Sequence, residues 1–213
     1  MLPRFAFVAL LALAAPAVAQ APQVSGPPPA KTDTVVLETT LGDITLEIET
    51  ELAPVTAANF LSYVTEHRFD GTKFYRAMRL KFGEQPNGLI QGGTQMDSAR
   101  ILDPISHEPT TATGIHHVAG TISMARYAPG TATGDFSILL SDMPSLDADP
   151  NGETEDARAG FAAFGHVTRG MDVVKEIFDA PTDPEKGEGF MKGQMLADPV
   201  EIVSARCLTC TAD

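Results

Sequence analysis

The chain has 213 residues, a formal net charge of −13, no tryptophan and only two cysteines. No Lys/Arg run concentrates positive potential on one face, so nucleic acid and anionic membrane surfaces are poor partners, and the acidity reads as a solubility property. Two cysteines are too few for a disulfide scaffold, and a chain of this length suits one domain with a full core.

The first nineteen residues carry Arg4 as their only charge, an apolar run from Phe5 to Ala15, and Ala17-Val18-Ala19 before Gln20. That is the layout of a secretory signal with an A-x-A cleavage site. The run is shorter than the roughly 20 residues that span a bilayer, and no later stretch is longer, so no membrane span is expected. Residues 20–31 are rich in Pro, Ala and Gln, with prolines at 27 to 29, and predict an extended tether ahead of a domain covering 32–213.

The domain opens on alternation. Val35 to Thr40, a Leu41-Gly42 turn, then Ile44, Leu46 and Ile48 against Thr45, Glu47 and Glu49 predict a β-hairpin with one buried face. Pro54 suits a first helical position, and Ala57, Phe60, Leu61 and Val64 follow at helical spacing, predicting an amphipathic helix to about His67. Short apolar or β-branched runs recur at 73–76, 89–91, 121–125, 136–140 and 162–167, separated by Gly, Pro and Asp. Met171, Val174, Ile177 and Phe178 signal a second helix, and 200–205 a last strand. Many short strands with two helices predict a mainly β fold, a closed or nearly closed antiparallel barrel with one helix over each end.

Two constellations compete for attention. Asp147-x-Asp149-x-Asn151-Gly152 copies the first half of an EF-hand loop, yet position twelve is Arg158 where a bidentate Glu is needed, and no helical pattern flanks it; a solvated acidic insertion is the simpler reading. His107, His116 and His117 fit no ligand spacing, so buried, hydrogen-bonded imidazoles are expected and no metal site is assigned. Ser123 lacks the G-x-S-x-G elbow of a hydrolase. At the C-terminus Cys207 and Cys210 stand at C-x-x-C spacing; a terminal disulfide clip is the leading reading and a free dithiol the next, since a zinc site needs two more ligands.

Six collinear blocks resemble the cyclophilin family: Leu37 to Ile44; Ala53-Pro54 with Asn59-Phe60-Leu61; Asp70-Gly71-Thr72-Lys73-Phe74-Tyr75-Arg76; Ile90-Gln91-Gly92-Gly93; Gly120 to Arg126; and Phe164-Gly165-His166-Val167 with Gly170 to Val174. The resemblance implies a closed eight-stranded barrel capped by two helices, with a peptide groove on its outside, and peptidyl-prolyl cis/trans isomerase activity. It places the catalytic arginine on Arg76, a carbonyl-binding glutamine on Gln91, and the substrate-pairing backbone on Met124, Ala125 and Arg126. Phe74, Leu89, Asp135, Ser137, Leu146 and Phe161 fall at the groove.

The family's two pocket phenylalanines become Gly88 and Ser137, so the extended loop 79–87, with Leu80 and Phe82, is the candidate to refill the pocket. No cofactor is implied, and the expected partners are proline-containing peptides or unfolded exported proteins met by a monomer in the periplasm. A proline-peptide-binding module with little turnover is the alternative.

Overall fold

The computed structural model describes residues 30–210. The expected signal at 1–19, and all of the tether except Ala30 and Lys31, lie outside the described residues. Eight strands form a closed barrel: β1 (Thr32–Thr39), β2 (Gly42–Glu49), β3 (Thr72–Arg79), β4 (Gly88–Gly93), β5 (Thr121–Met124), β6 (Asp135–Leu139), β7 (Ala163–Arg169) and β8 (Met195–Cys207). Around the barrel their order is β1-β2-β7-β5-β6-β4-β3-β8, with every neighbouring pair antiparallel. Closure leaves no edge strand to template aggregation.

The helices are α1 (Pro54–Thr65), α2 (Thr110–Thr113), α3 (Glu155–Ala159) and α4 (Met171–Asp179). The two long ones, α1 and α4, are those the periodicity predicts. Helix α1 follows the end of β2, where the Ala53 N–H donates to the Glu49 carbonyl, while α4 lies at the start of β2, where Val173 packs against Gly42. They therefore cover opposite ends of the barrel. The short α3 falls at the end of the EF-hand-like acidic run, where no helical pattern shows in the sequence; Thr154 caps it by accepting from the Ala157 N–H, with Glu155 and Asp156 in the first turn.

Distant residues complete the termini of α1 and α4. The Glu108 carboxylate accepts from the Val55 and Thr56 N–H groups and the Thr56 hydroxyl, serving the N-terminus of α1 that Ala53 cannot cap. At the C-terminus of α4 the Arg79 guanidinium donates to the Phe178 and Ala180 carbonyls. Phe60 of α1 then plugs the barrel, its ring centroid 5.1 Å from Phe69, 5.3 Å from Phe136 and 5.1 Å from Phe164. Leu37, Ile44, Leu46, Ile48, Ile90, Ile122 and Ile138 fill the interior, which is a packed core and not a lumen.

Strand β8 begins earlier than its apolar run suggests, because 195–199 continue the strand through an irregular stretch containing Pro199. At its far end Cys207 and Cys210 are joined by a disulfide, and the Leu208 N–H donates to the Thr34 carbonyl, tying the C-terminal turn to β1. Among the described residues no helix is long and apolar enough to cross a membrane.

Candidate active site

In a regular strand, successive side chains point to opposite faces. Strand β3 breaks that rule once. Phe74 pairs with Gly92 and Arg76 with Gln91, so Tyr75 and Arg76 together oppose a single residue of β4, which is a β-bulge. The alternation is reset: Phe74 and Ala77 face the core, while Tyr75 and Arg76 are both carried on the outer face. The β3–β8 pairing shifts at the same place, with Val200 opposite Phe74 and Met195 opposite Arg76.

Arg76 is only 7 % exposed although it lies outside the barrel, and three of its five N–H groups are engaged by amide oxygens. Nε and Nη2 donate to Gln194 Oε1 at 2.9 and 2.7 Å, and Nη1 donates to Gln91 Oε1 at 2.7 Å. One N–H on each of Nη1 and Nη2 is left over. Since arginine cannot accept, Gln91 must present its oxygen to it; Gln91 Nε2 then donates to the Tyr75 hydroxyl at 2.8 Å and keeps one N–H to spare. Burial pushes the Tyr75 hydroxyl well above the ordinary phenol range, so it stays neutral, and burial lowers the Arg76 pKa from a very high starting value.

From Arg76 a polar row crosses the outer face: Arg76 is opposite Gln91, Gln91 opposite Ser137, and Ser137 opposite Ser123. Two residues further along the strands, about 7 Å away, runs a parallel apolar row of Met78, Leu89 and Leu139. Leu80, Met143 and Leu146 pack over it. A charged fork thus stands beside an apolar wall on the outer β surface.

A family model described as cyclophilin type peptidyl-prolyl cis-trans isomerase matches residues 34–206. The chain belongs to the cyclophilins. Among its relatives, a peptidyl-prolyl cis-trans isomerase of Acinetobacter baylyi is 35 % identical over 176 residues, covering 81 % of this chain and 84 % of that protein. One of Streptomyces antibioticus is 36 % identical over 182 residues, covering 82 % and 98 % respectively. In fold, a Cryptosporidium parvum cyclophilin solved in the presence of the dipeptide Ala-Pro superposes with a TM-score of 0.64 at 19 % identity, covering 83 % of this chain and 99 % of that one.

The other expected groove residues of this cyclophilin divide into three sets. Leu89 and Leu146 come together in the apolar row, and Leu80 of the 79–87 loop joins them, while Phe82 stays 69 % exposed and refills nothing. Phe74 and Met124 send their side chains into the barrel core, Phe74 against Phe136 at 5.8 Å, so neither has surface to offer a peptide. Of the backbone expected to pair with substrate, the Met124 N–H already donates to the Ala162 carbonyl and the Ala125 N–H to the Asp135 carbonyl. The donor left at this strand end is that of Arg126.

The Arg126 side chain is itself 2 % exposed, stacked 4.6 Å from the Phe161 ring centroid and donating to the Gly160 carbonyl and Asp156. The pair fastens the segment after α3 to the end of β5. Asp135 is consumed locally as well: its Oδ1 accepts from the Gln95 N–H at 2.7 Å, and burial raises its pKa against that hydrogen bond and one from the Thr94 N–H.

Position 88 is not a pocket residue that has shrunk. With φ of +144°, a Cβ on Gly88 would lie 1.9 Å from the Met78 carbonyl oxygen, so no side chain fits there at all. At Gly92 the constraint is a close approach, since a Cβ would stand 2.7 Å from the Phe74 ring.

His117 sits at the far end of the polar row. Its Nε2 is 2.8 Å from Ser123 Oγ and its Nδ1 is 2.6 Å from Asp147 Oδ1, while His116 Nδ1 meets Asp147 Oδ2 at 2.8 Å. Ser, His and Asp are thus linked in order, yet Ser123 is 2 % exposed in mid-strand, and the linkage serves structure. With both oxygens of Asp147 facing imidazoles, the first position of the EF-hand-like run is occupied from within the protein.

Residues that the sequence reading passed over are Gln194 and Tyr75, which complete the setting of Arg76, and Phe190, whose ring lies 5.3 Å from the Arg76 guanidinium carbon. Phe190 and Gln194 come from a glycine-rich stretch with neither helical nor strand periodicity, and nothing in the pattern marks them.

Proposed function

We propose that this cyclophilin accelerates rotation about X-Pro bonds in exported proteins, with Arg76 stabilising the twisted amide. An X-Pro bond turns over in tens to hundreds of seconds because nitrogen lone-pair conjugation raises a barrier of roughly 20 kcal/mol. In the twisted state that lone pair is localised and basic, so a donor placed against it favours the twist over both planar isomers. The observation that carries this reading is the spare N–H on each Nη of an Arg76 whose other partners are uncharged amide oxygens. Such oxygens orient the fork without cancelling its charge, and partial burial strengthens that charge.

The remaining roles follow from the same row. Gln91 donates its spare N–H to the carbonyl preceding proline, the Arg126 N–H holds the flanking backbone, and the wall of Leu89 and Leu146 receives the ring. Proline-containing peptides are the substrate class; the related cyclophilin solved in the presence of Ala-Pro is in keeping with this.

Placement in the periplasm is supported by Ala17-Val18-Ala19 and by the Cys207–Cys210 disulfide, which suits an oxidising compartment. A protease-coupled assay on a proline tetrapeptide tests the chemistry: Arg76→Ala should lower kcat/KM by about 100-fold or more, in the range found on deleting a transition-state donor. Undiminished acceleration by Arg76→Ala would refute it.

A further inference from the structure

We propose that residues 188–194 form a strap that positions Arg76, with Gln194 as the residue that fixes the fork and Phe190 as the cover that keeps water from one of its faces. The inference rests on the reading that Arg76 donates to the prolyl nitrogen. Among the described residues Gln194 Oε1 alone takes two of the guanidinium N–H donors, at 2.9 and 2.7 Å, and so sets both the position and the plane of the fork. The same side chain turns its Nε2 to the Phe190 carbonyl at 2.7 Å. One glutamine therefore links the arginine to the turn that carries the aromatic ring.

The strap is itself held to the catalytic strand. The Gln194 carbonyl accepts from the Ala77 N–H, next to Arg76 in β3, and the strap closes on itself through Gln194 N–H to Met191, Met191 N–H to Glu188 and Gly193 N–H to Lys186. Phe190 is 76 % exposed and belongs to neither hydrophobic cluster of the described residues. Its ring lies 5.3 Å from the Arg76 guanidinium carbon, within cation–π range. An aromatic face shields the guanidinium without accepting its spare donors or adding a negative charge, which leaves those donors directed at the groove.

The test separates bound-state exchange from affinity by exchange NMR on an Ala-Pro tetrapeptide, alongside the ¹⁵Nε–¹Hε signal of Arg76, assigned by its loss in Arg76→Lys. Gln194→Ala should slow bound-state exchange about 10- to 100-fold, as misplacing a catalytic group does, with peptide affinity little changed, the Arg76 Nε–H signal broadened, and melting temperature lowered by no more than a few degrees because water can reach the donors beside part-buried Gln194. Gln194→Glu should keep that signal sharp and still slow exchange, because a carboxylate holds the fork but pairs its charge. Phe190→Ala should slow exchange and Phe190→Tyr restore it.

If Arg76→Ala is inactive while Gln194→Ala and Phe190→Ala turn over like wild type, the strap has no such role and the reading of Arg76 stands. A loss of affinity alone in Gln194→Ala would make the strap a substrate contact and likewise overturn the inference. Full activity in Arg76→Ala would bring down both.

Discussion

Truncating Asp147 to alanine probes the buried end of the polar row. Oδ1 of Asp147 accepts the His117 backbone N–H at 3.0 Å and faces His117 Nδ1 at 2.6 Å, and the His117 side chain has no exposed surface. A carboxylate only accepts, so Nδ1 carries the proton and neutral Nε2 takes the Ser123 hydroxyl. Asp147→Ala therefore strands two donors, each costing about 1–3 kcal/mol when buried, and because some water can enter from the half-open side of Asp147 a total of about 2–4 kcal/mol is expected. For a domain of this size, in which 1 kcal/mol moves Tm by roughly 2–4 °C, a drop of about 4–16 °C follows. Asp147→Asn keeps one acceptor oxygen and should lose about half as much. Thermal melts followed by circular dichroism measure both. A Tm for Asp147→Ala within about 2 °C of wild type would show that the buried imidazole does not depend on this carboxylate.

Burial pushes the His117 imidazole down against the pull of Asp147; burial pushes Asp147 up, but hydrogen bonds from His117 and His116 outweigh it and leave its carboxyl below the usual range. Both groups hold fewer protons folded than unfolded, so stability is lost as pH falls, first below about 6.5 for His117 and then below about 3.9 for Asp147. In urea titrations across pH, Asp147→Asn should flatten the lower part of this acid limb, and an unchanged slope there would contradict the assignment. Separately, Gly88→Ala puts a Cβ against the Met78 carbonyl in a backbone conformation closed to alanine, and should cost about 2 kcal/mol or more in urea unfolding. A neutral result would mean that β3 and β4 can separate there at no expense.

The parts of this fold readable from sequence are those where periodicity and burial coincide. Ile44, Leu46 and Ile48 alternate and are buried; Val174, Ile177 and Phe178 recur at helical spacing and are buried. Arg76 and Gln91 could be brought to one groove on paper only through the cyclophilin resemblance; the β3–β4 register places them opposite one another. Reading failed where geometry departs from period. The bulge at Tyr75 sends two successive side chains outward, which no alternation pattern shows. Phe74, two residues before Arg76, goes to the core for the same reason. Helix α3 is only five residues long, too short for periodicity, although Thr154 followed by Glu155 and Asp156 was a start signal in plain sight. Gln194 stands 118 residues from the arginine it holds, in a segment with no period to read.

The partners of the arginines give a last step. In a chain with 28 acidic residues, four of the described arginines, Arg68, Arg100, Arg126 and Arg206, reach a carboxylate, while Arg79 and Arg158 turn to backbone carbonyls. Arg76 reaches none among the described residues, and takes two glutamine oxygens and an aromatic face in their place. A carboxylate would hold the fork more firmly, since charge-assisted pairs are about twice as strong as neutral ones. It would also spend the field of the guanidinium on a partner that is present in every state, and an interaction equally strong before and during rotation does nothing for the rate. If Arg76 donates to the prolyl nitrogen as proposed, amide partners surrender some binding strength in the resting protein and keep the charge for the moment at which that nitrogen becomes basic. Under the proposed mechanism, Gln91 and Gln194, which orient the Arg76 fork, would matter to the rate as much as the arginine itself.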